Sequence, residues 1–230
     1  MASYIRIFHT VVFLLLVFSQ CALFEPKLST ISDTYVREEV MNEEQKSAIK
    51  VIKQRIITLK NEIATQKKTN EITSQSIKIS KAKIAKHTSQ RDLLKEKEKL
   101  SLIKDESSNA KRYLDESQAA DLEKQKEETR YLTWIQKEKE DIAFLQMKEA
   151  MLSENIAELE LVRAEVAVKF QESQGKVPSD PEFVKKEIFE TQYSSRKSDS
   201  RRKTTEWERV KNEAAKLPKI NLEDTYEESR

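Results

Sequence analysis

Between Pro26 and Gly175 the chain has neither glycine nor proline, the two residues that most reliably interrupt helices. Lys, Glu, Gln, Ala, Ile and Leu recur through this stretch, with apolar residues at three- and four-residue steps. The composition fits a solvated rod better than a compact domain. Of 230 residues, 36% are charged and 37% hydrophobic, and a rod buries only a narrow stripe of each helix. Periodic isoleucines and leucines argue against disorder, which has no reason to space them.

The seam of a first arm runs through Ile49, Ile52, Ile56, Leu59 and Ile63, a strict 3,4 alternation. The same register continues through Gln66, Asn70, Thr73, Ile77, Ser80, Ile84, His87, Arg91 and Leu94, where polar residues restrict the pairing to one register. A second arm shows Tyr131, Ile135, Glu138, Ile142, Leu145, Glu149, Leu152, Ile156, Leu159, Arg163, Val166 and Phe170. Beside it run Ala143, Met147, Ala150, Ala157, Leu161, Ala164 and Val168. This face is wider than a two-stranded seam requires and predicts a third helix, or a second molecule, over 142–170.

Asp105-Glu-Ser-Ser-Asn109 is the only cluster of turn and N-cap residues inside the run. A reversal there gives arms of equal length and pairs positions summing to about 214, placing Gln66 near Glu149, Arg91 near Asp121 and Ile56 against Leu159. The expected fold is therefore all-α: an elongated antiparallel coiled-coil hairpin over 42–174 with its turn near 105–109, plus a third C-terminal helix. One uninterrupted helix that dimerises is the rival. Gly175 suits a helix C′ position, and Asp180-Pro181-Glu182 reads as N-cap, N1 and acidic first turn. The linker and third helix occupy 175–217, with Pro218 as the stop, and 218–230 is an acidic tail expected to be disordered.

Residues 1–21 read as an export signal: Arg6, then the apolar run Val11-Val-Phe-Leu-Leu-Leu-Val-Phe18, then Ser19-Gln20-Cys21. The run falls short of the roughly 20 apolar residues that span a bilayer. Residues 22–41, broken by Pro26, read as a polar tether. A lone cysteine after such a run resembles a lipoprotein signal, and Phe18-Ser19-Gln20-Cys21 is similar to the loose lipobox of spirochaete lipoproteins. That resemblance covers only these residues and implies acylation at Cys21, hence a membrane-anchored protein of a bacterial envelope. Ordinary cleavage after Cys21, giving a secreted protein, and a retained anchor stay open.

Most chemistry is excluded. One glycine cannot build a phosphate loop, and one cysteine with His9 and His87 cannot build a zinc site. Carboxylate pairs on a rod have no cavity to shift their pKa. No catalytic, cofactor or metal residue is expected, and the chain is not read as an enzyme. The 42 basic and 40 acidic residues look interspersed, which is no nucleic-acid footprint. Trp134 and Trp207 read as packing anchors and His87 as a seam residue. The one candidate contact is the cluster Arg196, Lys197, Arg201, Arg202 and Lys203, set against the plainer reading of a solvated helix face. The expected role is a structural spacer or docking surface for protein partners, with self-association through 142–170. A holdase-type periplasmic chaperone, a host-facing adhesin and a secreted coiled-coil protein of a eukaryotic parasite are the alternatives.

Overall fold

The computed structural model describes residues 28–216. The export signal, Cys21, the start of the tether and the tail 218–230 lie outside the described residues. Among those described there are three α-helices and no strand: α1 Glu43–Ile103, α2 Ser107–Ser173 and α3 Lys186–Ala214. The long arms α1 and α2 fold back on one another as an antiparallel hairpin, and α3 adds a third layer.

Helix α1 starts in a capping box. Asn42 accepts from the Gln45 amide at 2.8 Å, and the Gln45 side chain accepts from the Asn42 amide. Inside the helix every expected seam position from Ile49 to Leu94 is buried or half-buried, and the register extends to Gln45 and Ser101 at its ends. Pairs across the hairpin obey the expected sum near 214. Arg91 meets Asp121 at 3.2 Å and Thr73 meets Asp141 at 2.8 Å, while Glu149 takes Lys67, the neighbour of Gln66, at 3.2 Å. Gln66 bonds along its own helix to Asn70 instead.

The seam of α2 needs one correction. Tyr131, Glu138, Leu145, Leu152, Leu159 and Val166 lie in it, but the alternate positions fall one residue earlier than expected. Trp134 and Asp141 are buried, whereas Ile142 is 43% exposed and Glu149 is exposed. The cause is polar: Asp141 is held inside by Thr73, an anchor that hydrophobicity cannot reveal.

The second stripe of α2 is the bed of α3. Ala143, Ala150, Ala157, Ala164 and Gln171 recur every seven residues on the side of α2 away from α1, and all are buried. Phe189, Ser200 and Trp207 of α3 come down on that side, with Phe144 and Trp207 rings 5.4 Å apart. The polar middle of α3 stays helical because Ser200, 4% exposed, lies in this contact. Helices α1 and α3 thus sit on opposite sides of α2 and scarcely meet. The width of the 142–170 face is taken up within the chain.

Helix α3 begins later than the Asp180-Pro181 signature predicts. Asp180 turns back instead, its carboxylate accepting from the Val177 amide at 2.9 Å. Gln171 then captures the next residues, accepting from the Val184 amide and donating to the Glu182 carbonyl. Those bonds hold 182–184 in a non-helical turn, so the helix starts at Lys186.

The described part of the expected tether, residues 28–41, does not stand free. It lies on α2 through two short 3₁₀ turns, Asp33–Tyr35 and Glu38–Val40. Ile31 is buried with Ala164, Ala167 and Phe189. Its amide donates to Glu160 at 2.6 Å, and Arg163 donates to the Ile31 carbonyl and the Asp33 carboxylate, both at 2.6 Å.

Candidate functional site

The base of the hairpin is therefore a built junction of strap, α2 and α3. Its opposite end is the turn. Helix α1 ends in a Schellman motif, with Glu106 donating to Ser101 at 2.9 Å and Asp105 to Leu102 at 3.2 Å. Asp105 takes the left-handed conformation, φ 57°, that glycine usually fills. The reversal occupies only 104–106. Ser107, Ser108 and Asn109 are already the first turn of α2, where Asn109 donates to the Glu106 carboxylate at 2.9 Å.

Around this turn the chain exposes aliphatic side chains. Ser101 and Ala110 close the seam, which leaves Leu100, Leu102 and Ile103 outside it, Ile103 at 80% exposure. Leu93, Leu114 and Leu122 are exposed just below. Fully burying one such side chain is worth about 1.5–3 kcal/mol, so covering three or four of them yields several kcal/mol of contact energy. Carrying the register of the first arm one heptad past Leu94 would have found them. It assigns Ser101 to the seam and turns Leu100, Leu102 and Ile103 outward.

The cationic cluster fares differently. At 100° per residue, Arg196, Lys197, Arg201, Arg202 and Lys203 spread round α3 and do not form one face. Arg196 and Lys203 turn toward α2 and line an open groove of about 370 Å³ with Gln146, Glu149 and Asp199. Lys203 donates to Gln146 at 2.8 Å and pairs with Glu206 at 3.0 Å, a bond that holds the Glu206 carboxyl below its ordinary range. Arg202 pairs with Asp199, and the Lys197 ammonium lies 5.2 Å over the Tyr193 ring. Arg201 is exposed. Two of the five cations thus serve to seat α3 on α2.

Charge is segregated by arm, contrary to the even mixing expected from the whole chain. Helix α1 carries 15 basic and 7 acidic residues, and α2 carries 10 basic and 15 acidic. The cross-hairpin ion pairs reflect this, with Arg55, Lys67, Lys83 and Arg91 of α1 meeting Glu158, Glu149, Glu127 and Asp121 of α2. Glu62 with Lys148 is the reversed case. Among the described residues no cluster of three or more metal-ligating side chains occurs, and no helix is long and apolar enough to cross a membrane. Trp134 is buried in the seam and Trp207 packs on Phe144 with the rings tilted by 59°, both as packing residues. His87 is half-buried there, its Nδ1 without a hydrogen-bond partner.

No protein-family model, no curated protein and no solved structure matches this chain.

Proposed function

We propose that this is an exported, lipid-anchored spacer of a bacterial envelope, fastened through Cys21 and offering its apolar turn to a protein partner. The observation that carries the reading is the polarity of the rod. The strap at Ile31 is clamped by Glu160 and Arg163 near the base, so the chain from the export segment joins the rod there. The exposed Leu100, Leu102 and Ile103 lie at the far end, on the order of 90 Å away at ~1.5 Å per residue. A rod of fixed length with a sticky end suits spacing and docking. A holdase reading draws less support, because the 142–170 face it would use is occupied by α3.

Removing one heptad from each arm, residues 81–87 with 127–133, keeps the pairing sum and shortens the rod by about 10 Å. In tomograms of cells carrying this variant, the layers that the protein separates should approach by that distance. Unchanged spacing would count against the spacer role. Cys21→Ser should move the protein from the membrane to the soluble fraction, and equal retention would defeat the lipid anchor.

A further inference from the structure

From Leu100 and Leu93 near the turn, a row of exposed aliphatics continues down α1. Val51, Ile72, Ile79, Leu93 and Leu100 are 45–57% exposed and share one heptad position of α1. Each precedes a buried seam residue (Ile52, Thr73, Ser80, Leu94 and Ser101), so the row is turned about 100° out of the seam. Neither α2 nor α3 covers it. A seven-residue period fits only another helix in a matching supercoil. The row runs for about 73 Å at ~1.5 Å per residue. Helix α3, with 29 residues, is too short to cover such a row, so a helix the length of α1 is needed.

We infer that the occupant is α1 of a second copy, running antiparallel about a two-fold axis between Gln75 and Ser76. The row is its own complement in that arrangement, which is what an isologous contact requires. Val51 faces the second copy's Leu100, Ile72 faces its Ile79, and Leu93 faces its Thr58. Lys86 meets Thr65 of the second copy, whereas a parallel pair would set Lys86 against Lys86. On the flanks Arg55 faces the second copy's Glu96, Ala82 faces Thr69, and Gln75 faces Ser76. Lys68 against Lys83 is the one like-charged pair. A contact about 70 Å long and about 10 Å wide removes roughly 700 Å² from each copy, within the range of stable dimers. The two straps then emerge at opposite ends, so paired copies carry anchors facing in opposite directions.

The test uses the full chain in detergent. Wild type should have a protein mass of twice 26.9 kDa, and the double variant Ile72→Glu, Ile79→Glu should have 26.9 kDa with unchanged helicity. Leu132→Glu, an exposed change on α2, should leave the dimer intact. Two spin-labelled chains, both with Cys21→Ser, then read the orientation without touching the row. Gln75→Cys should give a short intermolecular distance and Lys99→Cys one of about 70 Å. A monomeric wild type, a dimer indifferent to the double variant, or short distances at both labels would overturn the inference.

Discussion

Thr73 donates a hydrogen bond to Asp141 at 2.8 Å inside the hairpin seam, where both residues are buried. Lys137, one turn earlier on α2, reaches the other carboxylate oxygen at 3.3 Å. A polar pair with one built partner favours this register, since a slip breaks the Thr73 bond to a buried carboxylate and the Arg91–Asp121 pair with it. Thr73→Val keeps the shape and removes the donor, and should destabilise the hairpin by about 1–3 kcal/mol in denaturant unfolding. Adding Asp141→Leu should recover much of that loss. A double variant no more stable than Thr73→Val alone would show that the pair is not what sets the cost.

Asp105 closes the turn at φ 57°, where a side chain is strained by about 1–2 kcal/mol. Asp105→Gly should therefore raise stability by about 1 kcal/mol, and Asp105→Val should lower it. Gly175 ends α2 at φ 76° with open space around it, so Gly175→Ala should cost about 1 kcal/mol through backbone strain alone. Thermal unfolding of the three variants checks both ends of α2.

Arg163 holds the strap through the Ile31 carbonyl and Asp33. Arg163→Met should leave helical content unchanged while exposing the 28–36 segment. Hydrogen exchange at the Ile31 amide, now bonded to Glu160, should rise by more than tenfold. Exchange rising equally through α2 would mean that the residue supports the helix and not the strap.

Helix α3 carries two ion pairs with opposite pH signs, Lys186 with Glu165 across to α2 and Lys203 with Glu206 within the helix itself. Lys186 is raised above its ordinary 10.5 by hydrogen bonds to Glu165 on α2 and to Glu190. Its contribution is complete below that ordinary value and is lost as pH rises through the raised one. Glu206 is lowered below 4.5 by its bond to Lys203, so its contribution is present above 4.5 and is lost as pH falls. Trp207 fluorescence should report loosening of α3 from α2 at alkaline pH, a step that Lys186→Met should remove, whereas the acid step should show as lost helicity within α3.

Periodicity made much of this architecture legible, because a seam is a repeat. The register from Ile49 to Leu94, the pairing of Arg91 with Asp121 and the bed of α3 at Ala143–Ala164 were all written in spacing. Details fixed by single polar bonds were not. Asp180 resembles an N-cap until its carboxylate turns back to Val177, and Gln171 holds the start of α3 from eleven residues away. The strap at Ile31 depends on Arg163 and Glu160, more than 120 residues distant, which no local pattern announces. The basic cluster of α3 was legible as composition, but the helical turn disperses it.

The height of the turn above a membrane tests the proposed role most directly. A fluorophore at Asp105→Cys on the acylated full chain carrying Ile72→Glu and Ile79→Glu, which keep it unpaired, should stand on the order of 90 Å from the surface of a supported bilayer, at ~1.5 Å per residue of α1. A label lying within about 20 Å of the bilayer, two helix diameters, would mean that the rod lies flat and does not act as a spacer.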